Sequence, residues 1–68
     1  MHIFKYIIFN NETAEPVEVA KDLTEASEYL KKLGLNTHTA KPFRRYKELL
    51  ENNDPDKFNI LNKIIKYK

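Results

Sequence analysis

The chain opens with β-branched and aromatic residues from Ile3 to Phe9, and Lys5 is the one charge among them. Such a run is too short and too rich in strand formers to favour a helix. Alternation predicts Phe4, Tyr6 and Ile8 on one face, and Ile3, Ile7 and Phe9 on the other. A strand apolar on both faces needs cover on both, from the rest of the chain or from pairing in a homodimer. NNETAEP follows, dense in turn formers, and predicts a hairpin loop. The return strand is Val17-Glu18-Val19, reaching towards Ala20, with the valines inward and Glu18 outward.

Beyond the hairpin the period changes to that of a helix. Asp22 with Glu25 three residues later fits a capping box at a helix start, where both acids meet the positive end of the dipole. Leu23, Ala26, Leu30 and Leu33 form its apolar stripe, flanked by Tyr29. Gly34 predicts a Schellman ending in which Leu35 returns to touch Leu30. NTHTAK reads as a connection. Lys41 precedes a proline and is steered away from the α region, which makes Pro42 the first residue of a second helix. Phe43, Tyr46, Leu49 and Leu50 would be its buried stripe, fraying at Asn52-Asn53. Asp54, Pro55 and Asp56 mark a third helix start. Phe58, Ile60, Leu61, Ile64, Ile65 and Tyr67 fall within about half a turn of a helical wheel, with Asn59, Asn62, Lys63 and Lys66 opposite. Adjacent apolar pairs break the alternation of a strand, although isoleucine and tyrosine also suit one. The predicted fold class is α+β: an N-terminal β-hairpin packed on two to three helices, ββααα, the last helix alternatively a strand.

With 68 residues the expectation is one small domain spanning 1–68. A chain this short hides only about 60% of its unfolded surface, so its stability is marginal. The absence of cysteine excludes disulfides and thiolate metal sites and fits a cytoplasmic location. No membrane span is expected, and the opening MHIFKYIIFNN lacks the parts of a signal peptide. The net charge of +2 conceals an asymmetry. Residues 1–30 hold two lysines against six acids, a net −4, and residues 31–68 hold ten cations against four acids, a net +6. This points either to an anionic partner or to neutralisation of one half by the other.

Candidate chemistry is sparse. A single glycine cannot build a phosphate-cradling loop or a nucleophile elbow, and Ser27 is a lone serine inside a helix. His2 and His38 lie far apart, without metal-ligand spacing, so no cofactor or metal is expected. The reading is that of a non-enzyme. Were there catalysis, it would fall to His38, Arg44, Arg45, Tyr46 and Lys47. The positive signal is the stretch His38 to Lys47, with Lys41, Arg44, Arg45 and Lys47 around the start of the second helix. Cations there oppose the helix dipole, a cost of a few tenths of a kcal/mol each that a bound anion reverses. DNA phosphates suit that description, and an arginine there could also read guanine. The structural alternative is a solvated face with Arg44–Glu48 and Lys47–Glu51 as i,i+4 pairs.

YIIFNNETAEPVEV followed by DLTEASEYL resembles the NUMOD-type modules appended to homing endonucleases, pieces of which also occur in small phage proteins. In that pattern a hairpin with "Y-D-x-x-T-G-E" leads to "S-x-x-E-A-A-x-x-L" and then to a DNA-contacting helix. Tyr6, Asn11, Thr13, Glu15, Glu25, Ala26 and Leu30 occupy comparable places over roughly residues 6–35. Ala14 stands where the pattern has glycine, Lys31-Lys32-Leu33 lengthens the first helix, and Pro42 falls where the second helix would already have begun. The resemblance implies helix-turn-helix-like DNA binding without cleavage.

The expectation is therefore a small nucleic-acid-binding regulator, with Lys41, Arg44, Arg45, Lys47 and His38 as contacts. The alternative is a protein-binding inhibitor of phage or mobile-element type. It would dock on a host enzyme through the first strand or through the acidic face of Glu12, Glu15, Glu18, Asp22, Glu25 and Glu28.

Overall fold

The computed structural model describes residues 3–68. Its elements are β1 (Tyr6–Asn10), β2 (Pro16–Ala20), α1 (Leu23–Leu33), β3 (His38–Pro42), α2 (Phe43–Asn53) and α3 (Pro55–Lys66). The fold is α+β, with a three-stranded antiparallel sheet in the order β2-β1-β3. The stretch expected to be a connection is thus a strand, and the order is ββαβαα.

The central position of β1 answers its two-sided apolar pattern. Ile7 and Phe9 look to one face, where Val19, Leu61, Phe43, Tyr46, Leu50, Ile64 and Ile65 complete a core with α2 and α3. Ile8 looks to the other, where it meets Ala20 and Ala26 of α1 with Tyr6, Tyr29, Leu30 and Ala40 around them. The sheet is therefore sandwiched, and the chain itself supplies the cover that a homodimer would have supplied. Ile7, Ile8, Val19 and Leu61 are fully buried, each stabilising by about 1.5–3 kcal/mol relative to exposure. Phe4 breaks the predicted alternation and packs with Phe43 in the α2/α3 core, while Ile3 is exposed. It lies ahead of the first ladder pair, Tyr6↔Ala20, so the pleat does not dictate its direction.

The hairpin turns through Asn10, whose Oδ1 accepts from the Glu12 and Thr13 amides. It closes through Ala14 N–H to Asn10 C=O and Asn10 N–H to Glu15 C=O. Closure needs a left-handed residue, and Ala14 takes it with φ 59°. This is the position where the NUMOD-type pattern carries glycine. Register slips between Ile8 and Phe9, so Ile8 faces Glu18 and Phe9 faces Pro16, which leaves Val17 unpaired. That bulge turns Val17 outward, against the expectation that both valines are inward.

All three helix starts fall within a residue of the predicted ones. Asp22 accepts from Glu25 N–H, and Glu25 Oε1 reaches back to the Lys21 amide. Asp54 accepts from Lys57 N–H with Pro55 as the first helical residue. Pro42 is the N-cap of α2 rather than its first helical residue, because Pro42 still pairs with Tyr6 as the last residue of β3. Gly34 ends α1 at φ 124°, donating to Leu30 C=O. The paired Schellman bonds are replaced by this bond and by Thr37 and His38 amides that donate to Gly34 C=O. Leu35 is accordingly exposed. Residues 58–66 are helix, not strand. Leu23, Leu33, Leu49 and Tyr67, all assigned to apolar stripes from their spacing, are exposed. Each lies at an end or margin of its helix, where the sheet no longer covers it.

Candidate functional site: the start of α2 and the adjoining groove

α2 differs from its neighbours at its N-terminus. α1 and α3 are capped by aspartate, whereas no side chain caps α2 and no acid occupies its first turn. The cause is local: Pro42 has no capping group, and β3 runs directly into the helix, with Phe43 N–H donating to Lys5 C=O. Arg44 and Arg45 are exposed and Lys47 is half-buried. The Arg44–Glu48 and Lys47–Glu51 pairs do not form. Among the described residues, the side chains of Arg44, Arg45 and Lys47 have no carboxylate within 4.0 Å. Arg44 and Lys47 flank a shallow depression of about 410 Å³ floored by Ile3, Phe4 and Phe43. Arg45 does not line this depression.

The other two candidates are set apart from these three. Lys41 lies opposite Ile7, on the α2/α3 side of the sheet, with its ammonium 5.6 Å from the Tyr46 ring centroid. His38 falls with Ala40 on the α1 side by strand alternation, and its Nδ1 is 2.8 Å from Thr37 Oγ1. The residues of the basic stretch are therefore divided by the sheet. His2 lies outside the described residues.

Sequence reasoning missed a second surface. Between the hairpin loop and the α2–α3 corner runs a groove of about 370 Å³, floored by Phe9, Tyr46, Leu49 and Leu50. Phe9 and Tyr46 meet with ring centroids 5.7 Å apart at 59°. Lys41 and Lys57 stand on its rim, with Asn10, Asn11 and Asn53 adding amides. Four separate elements contribute, so no local motif announces it. The nearest signal was Leu49, an apolar residue at the margin of its stripe.

The half-chain charge asymmetry survives folding. A single ion pair, Lys68 with Glu18, joins a cation of the basic half to an acid of the acidic half among the described residues. Glu12, Glu15 and Glu28 are exposed and have no ion-pair partner among the described residues. No cluster of three or more metal-ligating side chains occurs among the described residues, and no helix there is long and apolar enough to cross a membrane. No protein-family model, curated protein or solved structure matches the chain.

Proposed function

We propose that this chain is a non-enzymatic nucleic-acid-binding module that holds phosphates at the start of α2. The observation that carries this reading is the coincidence of Arg44, Arg45 and Lys47, none ion-paired among the described residues, with a helix N-terminus that no side chain caps. Repulsion between these cations and the dipole is relieved when a phosphate enters, because amides and cations then act on the same charge. Ile3 and Phe43 beside Arg44 and Lys47 add apolar contact for sugar or base. Lys41 and His38 stand away from this surface and are assigned no phosphate contact. The resemblance of residues 6–35 to NUMOD-type modules points the same way for the hairpin and α1 alone, since β3 stands between α1 and α2 where a helix-turn-helix has a turn. A cytoplasmic regulator of mobile-element or phage type suits the reading.

Titration of a duplex DNA at low and moderate salt tests it, with wild type beside Arg44→Ala/Arg45→Ala. Binding should weaken with salt, and the double variant should flatten the log–log salt slope by about 2. No binding by wild type at low salt would remove the proposal. It would favour docking on a protein, for which the exposed Glu12, Glu15 and Glu28 speak. β1 offers such docking no free edge, since it is the central strand and pairs with both β2 and β3.

A further inference from the structure

We infer that the groove between the hairpin loop and the α2–α3 corner binds a small amphipathic anion, an apolar ring or short alkyl body carrying one carboxylate or phosphate. The groove is separate from the start of α2, so this inference stands whether or not the chain binds nucleic acid. Its volume, about 370 Å³, lies in the range of small-molecule sites. The floor is apolar, formed by the Phe9–Tyr46 ring pair and by Leu50, with Leu49 left 42% exposed beside them. Exposing that leucine to water costs free energy which an apolar body would recover.

The rim sets the sign of the ligand. Lys41 has no carboxylate within 4.0 Å among the described residues, and its ammonium stands 5.6 Å from the centroid of the Tyr46 ring. Lys57 is 3.5 Å from Asp54, which leaves part of its donor capacity unused. A neutral apolar ligand would satisfy the floor and leave both ammonium groups partly desolvated, at a cost. Asp54 also lines the groove, and two ammonium groups against its one carboxylate leave the rim net positive, which disfavours a cationic ligand. An anion satisfies floor and rim together. Charge-assisted hydrogen bonds from Lys41 and Lys57 are the strong ones for such a site. Asn10 and Asn11 line the remaining edge, their amide oxygens already accepting from the Glu12 and Thr13 amides and from Thr39 Oγ1. That leaves their NH2 groups to donate to a polar head, while the Asn53 NH2 donates to Leu49 C=O.

The probes are phenylbutyrate and its uncharged counterpart phenylbutanol, titrated into the isotope-labelled chain and followed by amide and methyl chemical shifts. The expected result is that the acid shifts Phe9, Ala14, Tyr46 and Leu49 and binds about tenfold more tightly than the alcohol. Lys41→Met removes one of the two rim ammonium groups and keeps an unbranched apolar side chain, so it should reduce that preference without weakening the alcohol. Leu49→Asp, at a half-exposed position, should abolish binding of the acid while the dispersed amide spectrum shows a folded chain. Equal binding of acid and alcohol would overturn the inference. So would shifts centred elsewhere, an unchanged preference in Lys41→Met, or no response to either probe. None of these outcomes bears on the DNA titration, so the two proposals fail separately.

Discussion

The ammonium of Lys68 lies 2.7 Å from the carboxylate of Glu18, which ties the chain just past α3 to the edge strand β2. The same ammonium donates to Tyr29 Oη at 2.7 Å, so it bridges around that edge to α1 on the opposite face of the sheet. Both layers of helices are thereby fastened to one strand. Partial burial works to lower the Lys68 pKa, but hydrogen bonds to Glu18 and Tyr29 and the attraction of those groups outweigh it and leave the pKa raised above 10.5. A lysine whose pKa is higher folded than unfolded contributes fully below its unfolded value and loses that contribution as pH rises through the folded one. Lys68→Met should lower stability by less than about 1 kcal/mol at neutral pH, because the pair is partly solvated. Urea midpoints of wild type and variant should converge as pH climbs above 10.5, and a gap that persists there would contradict the assignment.

Ala14 occupies a left-handed conformation, φ 59°, that costs a residue with a Cβ about 1–2 kcal/mol. Ala14→Gly relieves that strain but adds freedom to the unfolded chain, so a net gain of about 0.5–1 kcal/mol is expected. Ala14→Val should destabilise by more than that gain. Thermal midpoints of the three chains should order as Gly, Ala, Val from high to low.

Gly34 cannot be replaced as lightly. At φ 124° a Cβ would come 2.5 Å from Thr37 Oγ1, the side chain that accompanies the turn into β3. Gly34→Ala should therefore cost more than about 1 kcal/mol. Amide exchange should quicken first in residues 38–41, since their pairing with β1 depends on that turn.

The stripes read from spacing separate into covered and uncovered members. Leu61→Ala, at a fully buried position, should cost about 2–5 kcal/mol and largely unfold a domain of this size. Leu23→Ala, at a position 64% exposed on α1, should stay within about 0.5 kcal/mol. Equal losses in denaturant unfolding would mean that α1 packs differently.

The two aspartate caps offer a matched pair. Asp22→Ala and Asp54→Ala should each cost about 1 kcal/mol, since each removes the acceptor for an N3 amide at 2.8 Å and 3.3 Å respectively. Circular dichroism melts of the single variants would measure both losses.

What the residues determined alone were the features whose causes are local. Asp22 with Glu25, and Asp54 with Pro55, mark helix starts because a capping side chain and a fixed φ act within a few residues. Gly34 marks a stop because only glycine takes that φ cheaply, and NNETAEP marks a turn for similar reasons. The cationic cluster at the start of α2 was equally plain, since Arg44, Arg45 and Lys47 are neighbours in the chain. What tertiary structure decided were the matters of partner and cover. His38–Pro42 carries no alternating apolar pattern, and it becomes a strand by pairing with the edge of β1 that β2 leaves open, where buried backbone groups need hydrogen-bond partners. That pairing makes β1 central, divides Lys41 from His38 between opposite faces, and starts α2 without a capping side chain. The groove beneath the hairpin loop arises in the same way, from four elements meeting at one corner. No propensity of a single segment encodes such a meeting, because its energy exists only once the elements touch.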